Sequence, residues 1–324
     1  MAPARPPLPS PPGSTRVFGA AVDEKRVPDI AAIAFKRDDS IIFNNSLGTI
    51  DINSPASAPI TSSTKMGIAS MTKAVTAVAA LQLIEQGKLG IDDLVENYIL
   101  SWKNILVIDG FTDDGQPILH GPKTKATILN LFTHTSSQPY AFLNDNIRRW
   151  NAWAANQKGK PLSTPLAADP GIGWFYGGSL DTLGNVVEAM SGQPLDVYFE
   201  ENIFKPLGIK NSGPIAAYIY SHRRLANGTI ASLPTAPVSA TATPGSSAFL
   251  THASTIDDYS TFLLTLINWG THRQTGVTIL HSSTVRDYVF TDLIPRAVPG
   301  YGTCGFKPAG DLVGVWNSND QALA

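Results

Sequence analysis

A serine and a lysine three residues apart stand at the head of the most apolar stretch of the chain. Ser70 and Lys73 belong to the segment Gly-Ile-Ala-Ser-Met-Thr-Lys, and no charged residue lies between Lys73 and Glu85. This pattern predicts a helix that is apolar on nearly every face and is therefore buried. Residues three apart on a helix share a face, with β-carbons about 5 to 6 Å apart, so the Ser70 hydroxyl and the Lys73 amine can meet.

Such a pair has the elements of nucleophilic catalysis. Desolvation at the mouth of an apolar helix disfavours the charged form of Lys73, which would allow the amine to take the hydroxyl proton of Ser70. Backbone N–H groups at a helix start lack intrahelical partners and suit a developing oxyanion. A structural interpretation fits the local pattern equally well, with Ser70 as a helix cap and the Lys73 stem lying along apolar surface.

The chain also contains a second Ser-x-x-Lys, at Ser62 and Lys65. A bare match of this kind is expected about once by chance in a chain of this length. The second copy lies in a Ser/Thr cluster with no apolar helix behind it, so we interpret it as a solvated loop.

Composition limits the class of protein. The chain has 324 residues, which are enough for a large core and two lobes. Its content of 43% hydrophobic and 15% charged residues is typical of a soluble globular enzyme. A net charge of −2 gives no electrostatic reason to expect nucleic acid or an anionic membrane surface. The chain has no run of about 18 apolar residues, so no membrane span is predicted. Cys304 is the only cysteine, which excludes an intrachain disulfide.

The sequence lacks the motifs of several other kinds of enzyme. The chain has no Gly-x-Ser-x-Gly elbow, P-loop, His-Glu-x-x-His or Cys/His cluster, so we predict neither a metal nor a cofactor. The aspartates of 109–115 lack the spacing of a calcium loop and are interpreted as a solvated turn. His134, taken alone, is interpreted as a hydrogen-bonded structural histidine.

Hydrophobic periodicity predicts an α+β protein. Residues 30–35 and 40–43 form a predicted hairpin, and the core helix that follows Ser70 is expected to end near Gly87. Residues 145–168 lack clean periodicity and are predicted as a variable lid. Further helices are predicted at 127–133, 180–190, 195–203, 255–269 and 282–290.

Five blocks in this order resemble the serine β-lactamase-related family, which includes class C β-lactamases, family VIII esterases and fungal acyltransferases of the lovastatin side-chain type. The blocks are 67–73, Gln-Gly-Lys-Leu at 86–89, Leu-Phe-Thr-His-Thr-Ser at 131–136, Asp-Pro-Gly at 169–171 before Tyr176, and Ile-Phe-Lys-Pro-Leu-Gly at 203–208. The segments 107–115 and 174–181 are most similar to the acyltransferase branch.

The resemblance implies a β-lactamase/transpeptidase-like fold, an antiparallel sheet flanked by helices with a second, helical lobe. We expect a disordered Pro-rich tail at 1–16 and one catalytic domain over 17–324. Its α/β lobe is expected at about 17–75 and 245–324, and its helical lobe at about 76–244. The tail lacks the apolar segment of a secretory signal, which favours a cytoplasmic protein.

The resemblance also assigns roles. It implies that Ser70 is acylated, that Lys73 assists its deprotonation, and that Tyr176 acts as general base and acid. A phenol suits that role beside a cation such as Lys73. Gly177, in the same motif, is expected to contribute to substrate binding. A pocket for a hydrophobic small molecule is expected from Trp150, Trp153, Trp174 and Phe175, although these aromatic residues fit a helical core equally well.

Two departures from the family pattern bear on function. Gly178 stands where the lactamase Tyr-x-Asn motif has its amide, which favours an ester or thioester over a lactam substrate. The last family motif, on a late strand that supplies the second oxyanion N–H, is not evident: Lys307–Gly310 is a poor match, because proline cannot donate to a central sheet. The C-terminal strands are therefore expected to be divergent or incomplete.

These observations predict a serine acyltransferase that moves an acyl group from an ester or thioester, on a carrier protein or coenzyme A, to a small-molecule alcohol in secondary metabolism. A carboxylesterase of the same fold is the first alternative. A catalytically impaired relative that acts as a binding protein is the second. No cofactor, nucleic acid or membrane partner is expected.

Overall fold

The structure, a computed structural model, describes residues 12–54, 56–157, 163–214, 221–233 and 252–298. Its strands are Asp29–Phe35 (β1), Ile41–Gly48 (β2), Met66–Gly67 (β3), Val107–Phe111 (β4), Pro117–His120 (β5), Gly213–Pro214 (β6), Ser221–Arg224 (β7), Ile230–Leu233 (β8) and His252–Ser254 (β9). Its α-helices are Pro12–Asp23 (α1), Thr72–Glu85 (α2), Ile128–Phe132 (α3), Asp145–Ala155 (α4), Ser179–Ser191 (α5), Leu195–Phe199 (α6), Lys205–Leu207 (α7), Ile256–Ile267 (α8), Ser282–Thr284 (α9) and Ile294–Ala297 (α10).

The described chain divides into two compact units. The first contains the residues up to Thr72 and those from Asp196 to Val285, and the second contains Lys73–Leu195 and the residues from Arg286. The expected lobe boundaries differ from this division in two places. Residues from 196 belong with the N-terminal unit, and residues from 286 belong with the helical one.

The first unit is built on antiparallel pairs. Strands β1 and β2 form the predicted hairpin, with Asp29 opposite Gly48. Helix α1 lies against this hairpin, where the Phe18 and Phe43 rings are 5.5 Å apart. A three-stranded sheet in the order β3-β9-β6 stands beside α8, which also contacts β1.

The second unit is mainly helical and has α2 in its core. Every residue from Thr72 to Leu83 is buried except Ala74 and Ala77, as the sequence predicts for an all-round apolar helix. The helix ends at Glu85, and Gly87 follows in a left-handed conformation, with φ of 67°, that closes the last turn. Helix α5 passes close to α2 and to Leu195, since a β-carbon on Gly184 would lie 2.8 Å from Leu195 and 3.8 Å from Thr76.

The N-terminal and lid predictions require correction. Helix α1 begins at Pro12, so residues 12–16 are helical where a disordered tail was expected; proline is tolerated in a first turn, which needs no N–H there. Residues 145–155 form α4, an amphipathic helix capped by the Asn144 side chain, where an irregular lid was expected. The predictions for residues 1–11 and for Lys307–Gly310 lie outside the described residues.

Truncation of a core leucine tests the burial of α2. We expect Leu83→Ala to lower the free energy of unfolding by about 2 to 5 kcal/mol, because the side chain is fully buried. Leu100→Ala is the matched control: Leu100 is 70% exposed, and its truncation should leave the melting temperature almost unchanged. Thermal unfolding of the two variants beside the wild type checks this, and equal melting temperatures would contradict the packing of α2.

Candidate active site

Ser70 lies in a single 3₁₀ turn, Ala69–Met71, that leads directly into α2. The first unit fixes this turn from both ends: β3 pairs with β9, the Ile68 N–H donates to the His252 carbonyl at 3.1 Å, and the Tyr259 hydroxyl donates to the Met71 carbonyl at 3.0 Å. Ala69 has a φ of 41°, which is uncommon for a residue with a side chain. The half-buried Ser70 is therefore presented on a strained, well-anchored turn.

Lys73, on the first turn of α2, meets two tyrosine rings. Its ammonium lies 5.2 Å from the centre of the Tyr176 ring and 5.4 Å from that of Tyr140, and only 7% of the residue is exposed. The face of an aromatic ring attracts a cation, more strongly when water is excluded. The second unit thus brings together a buried amine and two phenols, groups that can exchange a proton.

Tyr140 and Tyr176 come from two loops that pair with each other. The Tyr140 N–H donates to the Tyr176 carbonyl at 3.3 Å, the Gly178 N–H donates to the Gln138 carbonyl at 2.8 Å, and Pro139 forms a bridge with Gly177. The pairing leaves no room for a side chain at position 177, because a β-carbon there would lie 2.0 Å from the Gln138 carbonyl oxygen. Glycine at 177 therefore serves close loop packing.

The Tyr140 phenol is held by an acidic residue. Its hydroxyl donates to the Asp181 carboxylate at 3.3 Å, and Asp181 lies in the first turn of α5. Burial, then the negative charge of Asp181, raises the pKa of Tyr140 well above its usual range. Tyr140 consequently stays a neutral phenol at physiological pH. Sequence reasoning missed both residues, because the contact joins side chains more than forty positions apart.

His134 lies beside the Tyr176 ring and completes this group. The two rings are 4.7 Å apart, and the His134 Nδ1 accepts the Gly177 N–H at 3.4 Å. Burial, with a smaller effect of the Lys73 charge, lowers the pKa of His134 to about 3. The imidazole is neutral at physiological pH, in agreement with the prediction of a hydrogen-bonded structural histidine.

The four expected pocket aromatics occupy different environments. Trp174 is half-buried and stacks on Tyr176 with ring centres 5.8 Å apart. Phe175 is buried, and its N–H donates to the His134 carbonyl at 2.7 Å. Trp150 is 4% exposed and packs with Ile108 and Ile147, and Trp153 packs against that cluster. The structure favours the core interpretation for Trp150 and Trp153 and leaves Trp174 beside the phenols.

The second Ser-x-x-Lys has no comparable surroundings. Ser62 lies in a turn, its hydroxyl donates to the Asp257 carboxylate at 2.9 Å, and Lys65 is exposed. The prediction of a solvated loop for this copy is confirmed.

The described part of the chain has neither a cluster of metal ligands nor a membrane-spanning helix. No group of three or more His, Cys, Asp or Glu side chains there lies close enough together to hold a metal ion. Nor does any helix among the described residues have the length and hydropathy that crossing a bilayer needs.

Comparison with known proteins gives a consistent result. A sequence model described as Beta-lactamase matches residues 15–318. The chain is 34% identical over 202 residues to a lovastatin esterase of Penicillium rubens, an alignment that covers 60% of this chain and 51% of the relative. It is 31% identical over 201 residues to a monacolin J acid methylbutanoyltransferase of Aspergillus terreus, covering 59% of this chain and 49% of the relative.

Solved structures show the same fold. Unliganded simvastatin synthase from Aspergillus terreus superimposes with a TM-score of 0.73 at 26% identity, covering 88% of this chain and 72% of that one. The expected β-lactamase/transpeptidase-like fold is therefore confirmed. The chain spans about half the length of the curated relatives it matches.

Two neighbouring glycines offer a matched test of the loop pairing. We expect Gly177→Ala to destabilise the protein by about 1 to 3 kcal/mol and to displace the Tyr176 loop, because the added methyl overlaps the backbone of 138–140. Gly178→Ala should be close to neutral, since its β-carbon would meet only Asp181 at 3.7 Å. Thermal unfolding checks the pair, and a tolerated Gly177→Ala would show that the loops pack differently.

Proposed function

Since the chain belongs to the Beta-lactamase family, we propose that it is a serine acyltransferase in which Ser70 carries the acyl group, Lys73 and Tyr176 move its proton, and Tyr140 orients them. The observation that carries this proposal is the contact of the buried Lys73 ammonium with the faces of both tyrosine rings. A nearby cation favours the phenolate form of a tyrosine, which is the form that accepts a proton.

In the proposed mechanism the Ser70 oxygen attacks the acyl carbon while its proton passes to the Lys73 and Tyr176 pair. The Ser70 N–H stabilises the oxyanion, and collapse of the tetrahedral intermediate expels the thiolate or alkoxide of the donor, which takes the proton. An alcohol then gives its proton to the same pair and attacks the carbonyl carbon of the Ser70 ester. The new ester leaves as the bond from that carbon to the Ser70 oxygen breaks, and the Ser70 oxygen takes the proton back from the pair. Water in place of the alcohol would give a carboxylesterase.

The donor and acceptor classes come from the residues and the relatives. Gly178 provides no amide side chain at the position where lactamases hold a lactam side chain, which favours an ester or thioester donor. The relatives' names mention a methylbutanoyl group and monacolin J acid. We therefore propose a short branched acyl group, delivered as a thioester on a carrier protein or coenzyme A, and a hydrophobic small-molecule alcohol as acceptor, with Trp174 beside the acyl position.

A second candidate is a binding protein without efficient catalysis. A cavity of about 500 Å³ borders the Ser70 turn in the first unit, lined mainly by apolar residues of β1, of 66–71 and of α8. A cavity of this size and apolar lining can hold a small molecule without any reaction at Ser70.

Acylation of Ser70 is the first prediction of this function. We expect one covalent adduct by intact mass after incubation with a fluorophosphonate. Ser70→Ala should give none, and Lys73→Ala and Tyr176→Phe should slow labelling by about 10²-fold or more, because each removes a step of proton transfer. Ser62→Ala is the matched control and should label like the wild type. An adduct that persists in Ser70→Ala would refute the nucleophile, and a folded wild type without adduct would favour the binding protein.

Transfer rather than hydrolysis is the second prediction. With a p-nitrophenyl ester of 2-methylbutanoic acid as donor, increasing concentrations of a hydrophobic alcohol should divert the acyl group from the free acid to the new ester. The reason is that acceptor and water compete for the same Ser70 ester. Chromatographic quantification of both products checks this. An ester fraction that stays at zero across the alcohol range would assign the protein as an esterase.

A further inference from the structure

We propose that His134 is a positioning residue that fixes the Tyr176 phenol against Lys73 by holding the backbone on both sides of Tyr176. This inference rests on the proposed function, in which Tyr176 is the proton-transfer group. His134 lies at the end of α3, forty-two positions away in the chain, and its assignment comes from the contacts that the second unit makes around the Tyr176 loop.

The carbonyl and the ring of His134 each accept one hydrogen bond from a neighbour of Tyr176. The carbonyl accepts the Phe175 N–H at 2.7 Å, and Nδ1 accepts the Gly177 N–H at 3.4 Å. Tyr176 lies between these two bonds, and its own carbonyl accepts the Tyr140 N–H. One backbone group on each of the three consecutive residues 175–177 is thus held by a hydrogen bond, and these bonds fix the backbone from which the Tyr176 phenol extends.

The ring can accept only while Nδ1 carries no proton. Burial and the nearby Lys73 charge hold the pKa of His134 near 3, so the single proton of the neutral ring resides on Nε2. The neutral ring also avoids a second positive charge beside Lys73. The imidazole therefore acts as an acceptor in the range where the enzyme would work.

The backbone of His134 is itself held in place by its neighbours. His134 has a φ of 57°, a left-handed conformation that histidine adopts more readily than most residues. Helix α3 holds it from the preceding side: Thr127 and Asn130 form a capping box at its start, and the Asn130 amide donates to the Thr135 hydroxyl at 2.9 Å. A strained backbone conformation persists only where the surrounding structure holds it in place. In His134 this conformation directs the imidazole ring toward the Gly177 N–H.

Two substitutions that both tolerate the left-handed backbone separate the side-chain acceptor from the backbone conformation. His134→Asn keeps an acceptor oxygen near the position of Nδ1, whereas His134→Gly keeps only the conformation. We expect the Asn variant to label with fluorophosphonate within about threefold of the wild type. The maximal labelling rate of the Gly variant should be about 10- to 100-fold lower than that of the wild type, because a small displacement of a catalytic group slows the chemical step. The reagent concentration that gives half of the maximal rate should not change.

A double-mutant cycle distinguishes positioning from general stability. In a Tyr176→Phe background, His134→Gly should cause little further loss of labelling, because the group that it positions is already gone. Equal additional losses in both backgrounds, or a Gly variant that labels like the wild type, would overturn the proposal. If the Gly variant does not fold, His134→Gln replaces it, since its longer side chain presents its amide near the Nε2 position and leaves the Gly177 N–H without this acceptor. Failure of the wild type to label at all would instead refute the proposed function.

Discussion

The buried ammonium of Lys73 is the interaction on which the arrangement of the second unit depends. A lysine that is 7% exposed in a core helix has given up most of its hydration, which costs several kcal/mol unless other groups interact with the charge. The faces of Tyr140 and Tyr176 supply part of that interaction. The loops that carry these rings therefore have to meet over the start of α2, and their backbone pairing follows from that requirement.

The loop pairing in turn explains the glycine-rich sequence around Tyr176. Pro139 approaches Gly177 so closely that no β-carbon fits, and Gly178 begins α5 with its N–H bonded to Gln138. The carboxylate of Asp181, one turn into α5, then reaches the Tyr140 hydroxyl. The start of α5 thus holds the Tyr140 phenol and also orders the Tyr176 loop. The two tyrosines have different roles, because Tyr140 is hydrogen-bonded to a carboxylate, whereas Tyr176 is positioned by backbone hydrogen bonds.

Sequence reasoning predicts the parts of this site that are local. The all-apolar run after Lys73 identifies the core helix. The two short apolar runs on either side of the charged residues 36–39 identify the hairpin, because a charged turn between two apolar segments is a local signal. The side-chain partners of Tyr176 could not be predicted this way, since His134 and Tyr140 meet it only through tertiary pairing of distant loops. For Trp150 the sequence left a pocket and a core equally open. The structure decides for the core, because tertiary packing brings Ile108 against Ile147 and Trp150. Residues 299–324, which include the poor match to the last family motif, lie outside the described residues.

Backbone strain is concentrated where the proposed chemistry takes place. Six residues other than glycine have a left-handed φ among those described, and three of them, Ala69, His134 and Ser137, flank Ser70 or the Tyr176 loop. Each such residue costs about 1 to 3 kcal/mol, so each needs neighbours that permit no alternative. Ala69 follows the β3–β9 pair and precedes the start of α2. His134 and Ser137 follow α3, and their carbonyls accept the N–H groups of Phe175 and Ala167. The burial of α2 and α5 provides the stability that lets these turns remain strained, which links the core of the second unit to the geometry of its phenols.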